Sequence, residues 1–196
     1  MIAGILLAAG AGTRFGGGKL VQTIHDSTPV CVASARNLKA ALSNVIAVTR
    51  PGDTAVFELL QQENDLRVVT CLRSEEGMGH TLADGVAASP DATGWIVALG
   101  DMPLIQPATI QRVAAAVEHG ASFAIPRHQG QRGHPIGIHG RFRDELLALT
   151  GDKGARDLIA AHAGKIEFVD VDDPGILLDI DTRADLERAR NPSKFG

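Results

Sequence analysis

What most constrains this chain is a repeated exchange between two residue patterns. Short, mainly apolar runs rich in β-branched residues occupy 2–7, 45–49, 67–72, 95–99, 122–126, 166–171 and 176–180. Stretches with apolar residues at helical spacing occupy 29–42, 53–64, 78–88, 107–119, 141–149, 155–162 and 183–190. Runs of the first kind read as strands buried on both faces, and the longer periodic stretches as amphipathic helices. Strand–helix–strand alternation implies right-handed crossovers, so the predicted fold is α/β: a three-layer α/β/α sandwich around a mainly parallel mixed sheet, Rossmann-like in layout. A chain of 196 residues predicts a single domain over 1–190, with 191–196 as a loose C-terminal tail. Ligands of such folds bind beyond the carboxyl ends of the strands, which directs attention to the residues just after each apolar run.

Composition removes several classes of function. A net charge of -4, 4% aromatic residues and no Tyr offer neither the basic patch nor the stacking platforms of a nucleic-acid binder, so small-molecule substrates are expected. No apolar run is long enough to cross a bilayer, and Met1 leads straight into the first apolar run without a basic segment, which predicts a strand, no membrane association and a cytoplasmic location. Cys31 and Cys71 form no Cys-x-x-Cys pair, and His128, His134 and His139 lack zinc-motif spacing, so neither set is expected to hold a metal.

The segment directly after the first run reads Ala8-Ala9-Gly10-Ala11-Gly12-Thr13-Arg14-Phe15-Gly16-Gly17-Gly18-Lys19. Its glycines let backbone amides approach a polyphosphate, and Arg14 and Lys19 bring cationic donors. A Walker loop would need glycine at position 13 and Ser or Thr at position 20, where Thr13 and Leu20 stand. A dinucleotide fingerprint fails because Gly10, Gly12 and Gly16 are spaced one residue too widely, and because the next strand ends in Thr49-Arg50 where an acid is expected. The pattern Leu-Ala-Ala-Gly-x-x-x-Arg-x-Gly-x-x-Lys survives, matched by residues 7–19 at every fixed position. On these residues the chain resembles the small nucleotidyltransferases that attach a nucleotide to molybdopterin, above all their molybdenum cofactor cytidylyltransferase branch. The resemblance implies a nucleotide site formed by Leu7, Ala8, Ala9, Gly10, Ala11, Gly12, Thr13, Arg14 and Lys19, and Ala9 then points to CTP over GTP.

Further segments extend the resemblance to residue 186. Gly100-Asp101-Met102-Pro103 ends a strand on an aspartate facing the ligand crevice, a hard oxygen ligand suited to Mg²⁺, and the family's aspartate at this point binds metal. Leu178-Asp179-Ile180-Asp181-Thr182 resembles the family's Asp-Ile-Asp-Thr segment, although Arg183-Ala184 replace its Pro-Glu. Strand alternation would put Asp179 and Asp181 on one face, either one completing the metal site, while capping of the next helix explains one of the acids but not both. Arg73, Gly77 and Thr81 are the nucleotide-side candidates of Gly77-Met78-Gly79-His80-Thr81-Leu82, which resembles the family's Gly-Met-Gly-x-Ser-Leu; His80 is expected in solvent. Arg132-Gly133-His134-Pro135 and Gly151-Asp152-Lys153-Gly154-Ala155-Arg156 resemble acceptor-side segments, implying roles for His134, Gly151 and Asp152, although a turn histidine and a helix-ending turn are equally consistent with the residues alone.

The expectation is therefore a nucleotidyltransferase that moves a nucleotide, CMP from CTP, to a phosphorylated acceptor, molybdopterin, with release of pyrophosphate. Catalysis would rest on Arg14, Lys19 and Asp101 with Mg²⁺, or Mn²⁺, on Asp101 and Asp179 or Asp181. The resemblance also implies a molybdoenzyme or its maturation factor as a protein partner. A sugar-phosphate or methylerythritol-phosphate nucleotidyltransferase, an NAD-dependent oxidoreductase and a non-catalytic nucleotide-binding partner in cofactor insertion are the alternatives left open.

Overall fold

The computed structural model describes residues 1–191. Its strands are β1 (Ile2–Leu7), β2 (Val45–Thr49), β3 (Arg67–Thr70), β4 (Gly94–Leu99), β5 (Phe123–His128), β6 (Gln131–Arg132), β7 (Ile136–His139) and β8 (Ile166–Asp170). Its helices are α1 (Val30–Ala41), α2 (Thr54–Gln61), α3 (Met78–Ala87), α4 (Pro107–Glu118), α5 (Arg143–Leu147), α6 (Arg156–Ala161) and α7 (Arg183–Arg190). One sheet holds the strands in the order β3-β2-β1-β4-β7-β5-β6, with β8 pairing β5. Pairing is parallel from β3 to β4 and between β5 and β8; β7 runs antiparallel to both β4 and β5.

The three layers follow from the period of two along the strands. Ile2 and Leu6 of β1, with Ile96 and Ala98 of β4, point into a core shared with α1, α2, α4 and α7. Ala3 and Ile5, with Trp95 and Val97, point into the opposite core beneath α3, α5 and α6. β1, β2 and β4, apolar on both faces, are buried on both faces as expected, whereas the outer strands β3 and β8, which carry Arg67, Glu167 and Asp170, are largely exposed, against the expectation for those two runs. Gly85 lets α3 lie close on the sheet: a Cβ there would stand 2.6 Å from Ile5 Cγ2.

Two features depart from the sequence expectation. The run at 176–180 is not a strand; Pro174–Leu177 forms a single tight helical turn. Buried Asp173 bends the chain here, because its carboxylate accepts from Gly175 N at 3.0 Å, Gln106 N at 2.9 Å and Thr109 Oγ1 at 2.7 Å, tying the turn to the start of α4. The second departure is β6 and β7, two strands in a stretch for which none is predicted, with Gly133, His134 and Pro135 between them. Residues 192–196 of the expected tail lie outside the described residues. No helix among the described residues is long and apolar enough to cross a membrane.

Candidate active site

The loop leaving β1 depends on backbone that only glycine adopts readily. Gly12, Gly16, Gly17 and Gly18 have φ of 60°, 90°, 89° and 66°. These left-handed turns fold the loop back so that Lys19, at the start of a one-turn helix over Lys19–Val21, passes beneath Gly12. Its buried side chain reaches across the strand ends. Lys19 Nζ donates to Asp101 Oδ2 at 2.5 Å and to Asp181 Oδ1 at 2.9 Å, while Arg14 Nη1 lies 2.7 Å from Asp181 Oδ2. Asp101 follows β4, and its backbone carbonyl accepts from Ile180 N at 2.9 Å, which brings the segment after the 174–177 turn beside it.

Electrostatics in this cluster are those of a cation held among acids. Burial opposes the charge on Lys19, yet the hydrogen bonds and charges of Asp101 and Asp181 outweigh it and raise its pKa. Burial pushes Asp181 upward, but Lys19 and Arg14 bring it below the usual carboxylate range. Asp179 is raised by burial and then by the negative charges of Asp181 and Asp101. The two acids thus meet without the strand that was expected to align them. Asp101 Oδ1 is buried and has no hydrogen-bond partner among the described residues. A hard divalent cation fits an acceptor of this kind, and no group of three His, Cys, Asp or Glu among the described residues is placed to enclose one.

Two adjoining cavities open at the carboxyl ends of the strands. The smaller, of about 360 Å³, is walled by Leu7, Ala9, Gly10, Ala11, Gly77, Thr81 and Asp101, and also by Arg50, Ser74 and Asp152. The larger, of about 770 Å³, is mainly apolar inside, with His134, Arg132, Lys153 and Arg156 among its lining residues. Leu7, Met78 and Leu99 border both. The Gly77 and Gly151 segments, remote in sequence, touch where the cavities meet: Gly79 N donates to Gly151 O at 2.8 Å, and a Cβ on Gly77 would lie 2.2 Å from the Gly151 carbonyl carbon.

The expected residues are distributed unevenly. Ala8 is buried beneath the loop, and Gly12, Thr13, Arg14 and Lys19 are not among the residues lining the smaller cavity, Arg14 and Lys19 meeting the acid cluster instead. Arg73 is exposed and outside the wall; Arg50, directly after β2, lines it instead. Asp152, expected on the acceptor side, opens on the smaller cavity. His134 faces the larger one, and burial lowers its pKa against a weaker opposing pull from Asp101. His80 is not in solvent but buried at the start of α3, with Nε2 3.2 Å from Glu76 and Nδ1 unpartnered among the described residues. The rule that ligands gather just after the strands would have picked out Arg50 and Ser74.

A glycine loop after β1, an aspartate after β4 and two adjoining cavities over parallel strands define a nucleotide-handling α/β protein with places for two substrates. Residues 4–166 match the MobA-like NTP transferase domain, and the chain belongs to that family, the nucleotidyltransferases. It is 29% identical over 196 residues to nicotine blue oxidoreductase from Paenarthrobacter nicotinovorans, covering 95% of each protein. The crystal structure of Rv0371c from Mycobacterium tuberculosis H37Rv superposes with a TM-score of 0.81 at 30% identity, covering 96% of both chains. A second structure of Rv0371c, in complex with manganese, matches at 29% identity with a TM-score of 0.74 over 96% of both chains.

Proposed function

We propose that the protein transfers CMP from CTP to the phosphate of molybdopterin, releasing pyrophosphate. The observation that carries this reading is the pair of cavities sharing Leu7, Met78 and Leu99, with Asp101 in the wall of the smaller one. Two substrates in neighbouring cavities can meet at that shared wall. An oxygen of the acceptor phosphate attacks the α-phosphorus; the bond from that phosphorus to the bridging oxygen breaks, and pyrophosphate leaves with the electron pair. The attacking phosphate is already ionised, so no protein base is needed, and positioning and charge neutralisation carry the rate. Lys19 and Arg14 neutralise the triphosphate and the departing pyrophosphate, and the amides of residues 9–12 line the phosphate path. Asp101 with Asp181 or Asp179 would hold Mg²⁺ or Mn²⁺, which supplies charge neutralisation at the α-phosphate. The large cavity, apolar within and carrying Arg132, Lys153 and Arg156, suits a flat heterocycle bearing a phosphate.

The test is pyrophosphate release from CTP, GTP, ATP and UTP, each with and without molybdopterin. Release that requires both CTP and molybdopterin is expected; full release with a sugar phosphate or methylerythritol phosphate in its place would transfer the reading to those acceptors. Asp101→Ala should lower turnover roughly 100-fold or more with the circular dichroism spectrum unchanged. A second reading, oxidoreduction with a nicotinamide cofactor, is favoured by the similarity to nicotine blue oxidoreductase. Loop spacing and the Arg at position 50 oppose it, and NADH absorbance during turnover decides between the two.

A further inference from the structure

The smaller cavity crosses the sheet in strand order. Its wall takes Asp101 from the end of β4, Leu7 and residues 9–11 from the end of β1, Arg50 from β2 and Ser74 from the turn after β3, and the strands adjoin in the sequence β4-β1-β2-β3. At a spacing of roughly 4.8 Å per strand, Arg50 stands about 10 Å and Ser74 about 14 Å across from Asp101, the scale of a ribose with its base. Lys19 and the acids gather at the β4 end, so the phosphates belong there and the base belongs at the Arg50–Ser74 end.

Two side chains at that end are short of partners. Ser74 Oγ is buried without a hydrogen-bond partner among the described residues, an arrangement that costs stability unless a ligand completes it. Arg50 makes one long contact, Nε to Asp53 Oδ2 at 3.4 Å, and its side chain is 35% exposed. Most of its five donors are left to point elsewhere. We infer that Arg50 and Ser74 read the nucleobase and select cytosine over uracil and adenine. This rests on the reading of the smaller cavity as the nucleotide site, and goes beyond it by naming the residues that choose the base.

The chemistry follows from the donor inventory. A guanidinium fork donates two parallel hydrogen bonds and accepts none, so it demands two neighbouring acceptors. Cytosine presents O2 and N3 side by side, followed by its N4 amino donor, which the Ser74 hydroxyl can accept. Uracil carries N–H at position 3, so the same fork meets one acceptor and one donor. Adenine sets N7 beside its N6 amino group and fails likewise; guanine, with O6 and N7 adjacent, satisfies the fork and is the base that competes.

The test is calorimetric binding of CTP, UTP, ATP, GTP and inorganic tripolyphosphate to the wild-type protein, Arg50→Met and Ser74→Ala. Wild type is expected to bind CTP at least about tenfold more tightly than UTP or ATP. Arg50→Met should bring CTP and UTP to near parity while leaving tripolyphosphate affinity unchanged, which also reports an intact fold and phosphate cradle. Ser74→Ala should weaken CTP by several fold and tripolyphosphate not at all. Persistence of the CTP preference in Arg50→Met overturns the inference, as does a loss of tripolyphosphate affinity equal to the loss for CTP, since Arg50 would then be holding phosphate. A wild-type protein that binds tripolyphosphate but shows no base preference overturns it while leaving the nucleotide reading standing, and one that binds none of these probes overturns both.

Discussion

Lys19 occupies the gap between Asp101 and Asp181, its ammonium 2.5 Å and 2.9 Å from the two carboxylates; if a divalent cation binds there, as proposed, the two cannot share it. Lys19 is therefore the counter-ion that keeps three neighbouring acids compatible with folding. Replacing it with Met removes the cation and leaves largely buried carboxylates facing one another. Lys19→Met is expected to lose about 2–3 kcal/mol of stability, less than for a fully buried pair because the acids keep some solvent contact. Manganese should return more of the melting temperature to Lys19→Met than it adds to wild type, because only the variant offers a vacant anionic gap. Thermal melts of both proteins with and without Mn²⁺ measure this; equal gains would show that Lys19 does not compete for the ion's place.

At the scale of elements, α1 is tied to the end of α2 by Arg36 and Glu63, whose side chains pair with Nη2–Oε1 at 2.7 Å. The hydrogen bond from Arg36 is the main cause holding Glu63 below its ordinary pKa of 4.5. A carboxylate depressed in the folded state contributes stability above its unfolded pKa and loses it as pH falls through the folded value. Glu63→Gln should cost about 0.5–1 kcal/mol at pH 7, the exposed Arg36 limiting the gain, and the gap to wild type should close below pH 4.5. Melting temperatures across the acid range report both. These helices, and the strands they cover, were legible because their apolar period is local. The turn at 174–177 was not, since Asp173 bends it through contacts with Gln106 and Thr109 that no local pattern records. β6 and β7 stayed hidden for a related reason: antiparallel insertion between β4 and β5 is a long-range pairing, and Gly133, His134 and Pro135 break the alternation that would announce it. In the site, the glycine loop and Asp101 stood out by spacing, and Arg50 stands directly beyond β2 where ligands gather, whereas Arg73, after β3, is exposed outside the wall, which no local pattern records.

Across the whole molecule, the sheet separates two cores while its carboxyl edge joins two cavities, and the joint is made by segments remote in sequence. Residues 77–79 approach residues 150–152 so closely that a methyl group on Gly77 would overlap the Gly151 backbone at 2.2 Å, and Gly77 itself has a φ of 125°. Backbone cannot yield there as a flexible side chain would, so Gly77→Ala must spread the joint and disturb both walls at once. Arg156, by contrast, lines the larger cavity alone. If the smaller cavity takes the nucleotide and the larger the acceptor, the two substitutions separate in steady-state kinetics. Gly77→Ala should raise KM for both substrates and lower the melting temperature, whereas Arg156→Ala should raise KM for the acceptor roughly tenfold, the loss of one charge-assisted contact, with KM for the nucleotide unchanged. Because an attraction between Arg156 and an acceptor phosphate is screened by salt, the acceptor KM of wild type should also climb with ionic strength more steeply than that of Arg156→Ala. An Arg156→Ala protein that loses nucleotide and acceptor affinity equally would mean that the cavities act as one site, and the division of labour between them would fall.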